Sequence, residues 1–194
     1  MLIGVQGAVF GLLGYPLDPS SIPGSLVNFL PSASILALIA GLGEEPGWRG
    51  FALPRLEARH TTVLATALLG GVWAAWHLPL ALVDPRFAHG FTSAPPQILL
   101  ALLTMLTIFF YAFFYTWVYN NSRSVLLCML LHGSFNATIG LLPASLEVLQ
   151  RGTYVALLAV QGVTLLVAVI FLVVATGGRL GYAAGAARTH TDTE

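Results

Sequence analysis

Thr61 to Val83 reads TTVLATALLGGVWAAWHLPLALV, a stretch in which His77 is the single ionisable side chain. A helix needs about 20 apolar residues to cross the hydrocarbon core of a bilayer, so this stretch is long enough to span one. Three further runs share its character: Gln97 to Tyr119, Val125 to Leu142 and Tyr154 to Thr176. A fifth, Ala33 to Leu53, is equally apolar in its first half but is interrupted by Glu44, Glu45 and Arg49. The opening Met1 to Tyr15 is apolar, falls short of a full crossing and ends at Pro16. It reads as a shortened span, and since it lacks the basic start and small-residue cleavage site of a secretory signal it is not expected to be removed. The expected fold class is all-α: a polytopic transmembrane helical bundle of about five or six spans with a polar cavity inside the membrane.

Composition agrees with the spans. The 194 residues are 57% apolar and 8% charged, against roughly a quarter charged in soluble domains. Eight arginines, no lysine and eight acidic residues balance to zero, which leaves no basic field for nucleic acid. One cysteine, Cys128, excludes an intramolecular disulfide, a thiolate zinc cluster and a CxxC redox pair. The connectors Leu17 to Ser32, Glu57 to Thr61, Asp84 to Pro96, Asn120 to Ser124 and Glu147 to Gly152 are too short for a soluble domain. Residues 1–176 therefore read as one transmembrane domain and 177–194 as a disordered tail. If the connectors alternate sides, Arg49, Arg55, Arg59, Arg123, Arg179 and Arg188 share one face against Arg86 and Arg151 on the other. The positive-inside rule puts the tail in the cytoplasm. Arginine in place of all lysine and the short chain suit a multi-pass protein of a bacterial plasma membrane.

An ionisable group at bilayer depth costs at least about 2.5 kcal/mol, so each one requires a reason. Glu44, Glu45, His77, His132 and Asn136 are the polar residues in question. Any one of them can be a staple between helices, but unrelated staples have no need to gather at similar depth. Helical rise places Glu44 about 16 Å from the outer end of its run, His132 about 14 Å from the cytoplasmic end of its own, and His77 about 24 Å from Thr61. His132 and Asn136 are spaced i,i+4 and share a helical face, as do Trp73 and His77. Glu45 and Arg49 have the same spacing in the favourable acid-first order, while Glu44 is turned about 100° away. Glu45 and Arg49 can neutralise each other as a helix-stabilising pair, leaving Glu44 to face a cavity. Pro46 removes a backbone N–H and crowds the carbonyl of Leu42, which predicts a kink at the glutamates.

A carboxylate in a low-dielectric pocket with a histidine nearby is a competent general base for water, and neutral histidine or an asparagine amide can donate to an oxyanion. Glu44, His77, His132 and Asn136 thus supply a base and oxyanion donors for peptide hydrolysis. Glu44, His77 and His132 also make a two-histidine, one-carboxylate set of the kind that holds catalytic zinc, so the cofactor requirement stands as none or zinc. Aspartates occur only at positions 18, 84 and 192, which excludes an intramembrane aspartyl dyad. There is no HExxH helix and no GxSxG, and Ser134 lies i,i+2 from His132, facing away. The Gly43 to Gly47 spacing fits a close helix contact, and Trp117 and Tyr119 read as interfacial anchors.

Glu44-Glu45-Pro46-Gly47-Trp48-Arg49 resembles an EExxxR motif, Trp73 to His77 an FxxxH motif, and His132 to Asn136 an HxxxN motif. In this order they resemble the CAAX-protease and bacteriocin-processing family of intramembrane proteases, which includes the type II CAAX prenyl endopeptidases. The similarity covers about Ala33 to Leu146. It implies that Glu44 activates the attacking water, that His77 or His132 helps hold it, and that His132 with Asn136 or His77 stabilises the oxyanion. The family's second glutamate and its arginine map to Glu45 and Arg49, in a supporting role. Trp73 stands where the motif usually has Phe, a change expected to alter pocket shape more than chemistry. The family normally has further helices ahead of its glutamates, where 43 residues precede them here.

The leading expectation is an intramembrane endopeptidase that hydrolyses a membrane-associated peptide or protein with glutamate-activated water, its partners being membrane lipids and that substrate. The alternatives are a non-catalytic scaffold or bacteriocin-immunity protein, which keeps the polar core for packing, and a proton-coupled carrier using the Glu and His groups as a relay. A carrier of that kind is built from repeats, and no internal repeat is present in the sequence.

Overall fold

The computed structural model describes residues 22–83, 94–137 and 154–183, together with Gly11. These residues are mostly helical and contain no strand, and four helices among them are long and apolar enough to cross a membrane, beside a shorter apolar helix. Residues 22–57 form one long helix, α1. It is followed by α2 (Thr62–Val83), α3 (Ala94–Ser122), the shorter α4 (Val125–Ala137) and α5 (Tyr154–Ala175). Residues 138–142, expected to complete α4, lie outside the described residues, as does the Met1 to Tyr15 stretch apart from Gly11.

Helix ends follow local chemistry. Thr61 Oγ1 accepts the N–H of Leu64 at the start of α2, and Ser124 Oγ accepts that of Leu127 at the start of α4. Pro95 and Pro96 sit in the first turn of α3, where a missing N–H costs little. The turn between α3 and α4 is only Arg123 and Ser124, with Arg123 in the left-handed region at φ 54°. The connector expected from Leu17 to Ser32 is helical from Ile22 onward, carrying Pro31 inside the helix. In lipid, freed backbone groups can be satisfied by neighbouring helices and local adjustment, so a proline ends a helix less reliably than in water.

α1 does not keep one pitch. It is α-helical over Ile22–Leu36, widens to π-helical turns over Ala37–Gly41, returns to α over Leu42–Glu45, widens over Pro46–Ala52 and closes as α over Leu53–Glu57. The N–H of Leu42 reaches the carbonyl of Ala37, and that of Leu53 reaches Trp48, each five residues back. At Pro46, where a kink is expected from sequence, the helix widens, with Pro46 itself in helical conformation at φ −58° and ψ −39°. Widening has a geometric result. Ala33, Ala37, Gly41, Glu45, Arg49, Leu53 and Glu57 recur at every fourth residue and are all buried. At 3.6 residues per turn such a stripe would drift about 40° per step; turns wider than α offset the drift and keep it on one inner face.

The upper part of that stripe packs against α4 backbone to backbone. A Cβ at Gly133 would run into the carbonyl oxygen of Ala33 and lie 2.5 Å from the nitrogen of Ala37, and one at Gly41 would lie 2.8 Å from the carbonyl oxygen of Met129. Small residues permit this approach, the usual basis of helix association in lipid. Gly43 and Gly47, expected at a close contact, are exposed and have open space where a side chain would go.

α3 is the central helix. Phe110 and Phe113 pack with Leu165 and Val169 of α5, while Ala112 and Tyr115 pack with Trp73 of α2 and Cys128 of α4. Thr66 Oγ1 donates to Thr116 Oγ1 across α2 and α3 at 3.2 Å, and Gln161 Nε2 donates to Tyr111 Oη across α5 and α3 at 2.7 Å. After α5 the chain turns back through Gly177 and Gly178, both at positive φ, with the N–H of Gly178 bonded to Val173 O. Leu180, fully buried, then joins the Phe110 cluster. Residues 177–183, read from sequence as the start of a disordered tail, thus close one end of the bundle; residues 184–194 lie outside the described set.

Candidate active site

Glu44 and Glu45 point to different surroundings because they are adjacent on one helix. Glu45 faces inward and pairs with Arg49, whose Nη1 is 3.2 Å from Oε1 and 3.1 Å from Oε2, both side chains having no exposed surface. The guanidinium carbon of Arg49 lies 4.4 Å from the ring centroids of both Trp73 and Tyr115. Desolvated cation–π contacts of this kind contribute about 2 kcal/mol. Buried pairs do little for net stability, yet removing one partner is costly. From α4, His132 places Nδ1 2.8 Å from Glu45 Oε1. A carboxylate only accepts, so Nδ1 carries the hydrogen. The free atom of a neutral His132 is then Nε2, an acceptor, and it becomes a donor only in the imidazolium form. This corrects the expectation that neutral His132 could donate to an oxyanion.

Glu44 forms a second, more open layer. Its Oε2 accepts the indole N–H of Trp73 at 2.6 Å, and its Oε1 lies 3.9 Å from His77 Nε2. His77 Nδ1 is 2.9 Å from the backbone carbonyl of Trp73. A carbonyl accepts, so Nδ1 donates and neutral His77 turns an acceptor Nε2 toward Glu44. Two acceptors at 3.9 Å are too far apart to bond directly and are spaced to share a water. The side chains of His77 and Glu44 are 19% and 13% exposed, whereas Glu45 and Arg49 behind them are closed. Trp76 sits edge-on to His77 at 5.0 Å between centroids.

The structure therefore brings Glu44 together with His77, and Glu45 with Arg49 and His132. Trp73 joins the two groups, its ring lying 5.9 Å from that of His77 and 5.8 Å from that of His132. Asn136 lies one turn beyond His132 and is exposed. Among the described residues no three His, Cys, Asp or Glu side chains converge as a metal-binding group. His132 gives its Nδ1 to Glu45, which leaves Nε2 as the atom through which a neutral His132 could ligate a metal. Two contributors were missed from sequence. From the motif alone Trp73 reads as a change of shape, although a buried indole N–H requires an acceptor that Phe would not. Tyr115, 66 residues from Arg49, has no local signal.

The family profile described as Type II CAAX prenyl endopeptidase Rce1-like matches residues 26–138, more than half of the chain. The chain is also 31% identical over 110 residues to CAAX prenyl protease 2 of Methanococcus maripaludis, a match covering 56% of this chain and 40% of that protein. The chain thus matches less than half the length of that relative. The matched region contains Glu44, Glu45, Arg49, Trp73, His77, His132 and Asn136. The chain belongs to the Rce1-like family of type II CAAX prenyl endopeptidases.

Proposed function

We propose that the chain is an intramembrane endopeptidase that cleaves a membrane-associated peptide with water activated by Glu44. The observation that carries this reading is the pair of inward-turned acceptors, Glu44 Oε1 and His77 Nε2, 3.9 Å apart at the open layer of the site. A water donating one hydrogen to each keeps its oxygen lone pairs free for a substrate carbonyl. As the C–O bond forms, Glu44 takes a proton from that water. The oxyanion is met by the exposed Asn136 amide, while His132, bonded through Nδ1 to Glu45, stands one turn before it. Collapse breaks the C–N bond, and Glu44 returns the proton to the departing nitrogen. Trp73 holds Glu44 in place by its indole bond, and Arg49 keeps the charge of Glu45 balanced.

The relative's name points to CAAX peptides as the first substrates to try. Arg55, Arg59, Arg123 and Arg179 are exposed around the connectors that follow α1, α3 and α5, which supports a cytoplasmic assignment for that end of the bundle. The test is cleavage of fluorogenic membrane-anchored peptides, prenylated CAAX sequences among them, by the wild type and by Glu44→Gln, with and without a zinc chelator. Chelator-insensitive cleavage lost in Glu44→Gln supports the reading. Full cleavage by Glu44→Gln overturns it, and loss on chelation restored by zinc replaces the metal-free step.

A further inference from the structure

Glu45 and Glu57 are the buried carboxyl groups among the described residues, and the site above makes no use of Glu57. Glu57 ends α1 and ends its inner stripe, 5% exposed. Facing it is Asn120 of α3, also 5% exposed, whose Nδ2 donates to Glu57 Oε1 at 2.7 Å. The remaining polar atoms of the two groups, Glu57 Oε2 and Asn120 Oδ1, are buried without a hydrogen-bond partner. With Glu57 ionised both are acceptors, neither can serve the other, and a carboxylate oxygen is desolvated and unpaired. One hydrogen on Oε2 changes the count. A carboxylic acid and a primary amide pair as a ring of two hydrogen bonds, N–H to one oxygen and O–H to the other, and both orphaned atoms are then satisfied.

The surrounding groups leave room for this. Arg123, in the turn between α3 and α4, is the cation whose charge bears on Glu57, and its guanidinium stands 5.8 Å from the ring centroids of Tyr119 and Tyr182. On the side of α1, Arg55 bonds the carbonyl of Phe51 and lies over its ring, and Arg59 and His60 are exposed. The start of α2 contributes buried Thr62, which bears no charge. The same pairing buries the amide of Asn120 in the Asn120-Asn121-Ser122 sequon, so this asparagine is occupied by structure.

We propose that Glu57 is held as the neutral acid and that its pairing with Asn120 is a positioning clasp, fixing α1 against α3 so that Glu44 meets His77. Glu57 lies three stripe positions from Glu45, across the widened Pro46–Ala52 segment. A clasp at that end sets the rotation of the segment between. The proton assignment is independent of the peptidase reading, and the positioning role rests on it only for its effect on cleavage.

The test uses the full chain in lipid nanodiscs. Infrared spectra at neutral pH should contain a deuterium-sensitive protonated-carboxyl stretch that is absent in Glu57→Gln and retained in Glu44→Gln. Glutamine presents a carbonyl and an N–H where the acid presents a carbonyl and an O–H, so Glu57→Gln should match wild-type stability, cleavage and Trp73 indole N–H NMR signal. Glu57→Ala should lose stability, shift that signal and lower cleavage at least tenfold. A group that holds a proton in the fold and releases it on unfolding makes the fold lose stability as pH rises, by up to about tenfold in the folding constant per pH unit. Wild type should show this loss as pH rises above the ordinary glutamate pKa of about 4.3, until Glu57 ionises in the fold, and Glu57→Gln should lack the part due to Glu57. An unchanged carboxyl stretch in Glu57→Gln, or a Gln variant as unstable as Ala, overturns the acid assignment. A stretch that vanishes while the Trp73 signal stays put in Glu57→Ala overturns the positioning role. If the wild type cleaves nothing, the peptidase reading fails, and the infrared, melting and NMR results still decide the clasp.

Discussion

Replacing Gly133 by alanine tests how the site is held. The added methyl would meet the Ala33 carbonyl oxygen, lie 2.5 Å from the Ala37 nitrogen and come 2.8 Å from the Ala37 Cβ. Carbon atoms rest at about 3.5–4.0 Å, so α4 must retreat from α1 by roughly 1 Å, because backbone cannot yield by changing rotamer. Overpacking of this sort costs about 1–3 kcal/mol. The neighbouring His132 bonds Glu45 at 2.8 Å, and a retreat of about that size takes the contact beyond hydrogen-bond range. Misplacement by about 1 Å lowers catalysis about 100-fold. Thermal melting in detergent and kcat/KM on a fluorogenic membrane-anchored peptide should both fall. Gly71→Ala is the control: Gly71 has open space at its Cβ, and alanine in mid-helix should stabilise by roughly 0.5–1 kcal/mol. A Gly133→Ala protein that melts and cleaves like wild type would refute the close crossing of α1 and α4.

Other perturbations separate the two layers of the site. Trp73→Phe keeps the ring over Arg49 but deletes the donor to Glu44, and should lower kcat about tenfold or more with a small change in melting. Arg49→Ala leaves Glu45 buried beside His132 without its cation, and should destabilise by about 3–5 kcal/mol as read by chemical denaturation. Leu180→Ala removes a fully buried side chain from the Phe110 cluster; it should cost about 2–5 kcal/mol in melting experiments while folded protein retains its kcat.

Much of this architecture was legible from residue pattern. Apolar run length alone located α2 and α5 to within a residue, since lipid leaves a spanning segment little choice but helix. The start of α1 was not legible, because Pro23 and Pro31 punctuate a chain in water more strictly than in a bundle. The i,i+4 spacing of Glu45 and Arg49 predicted their pairing, and the 100° offset predicted the separate environment of Glu44. Partners distant in sequence were beyond reach: no local rule joins Tyr115 to Arg49, Asn120 to Glu57 or Gly133 to Ala33. Gly43 and Gly47 show the same limit from the other side, since small residues permit a close contact without specifying where a neighbour stands. Which atom of His132 is free follows from its bond to Glu45, a feature of the folded chain.

The four-residue repeat along α1 also governs how this helix can vary. Leu38, Ile39 and Leu42 point outward and are more than half exposed, so exchanging one for another apolar residue leaves the inner contacts untouched. Inserting or deleting one residue between Ala33 and Glu57 is different. Every stripe residue beyond the change would rotate away from its neighbours, and the carboxyl and guanidinium groups would be carried toward hydrocarbon. Composition on the outer face is thus free while length is not, and the helix acts as a ruler whose spacing, more than its lipid-facing lettering, holds the two ends of the site in register.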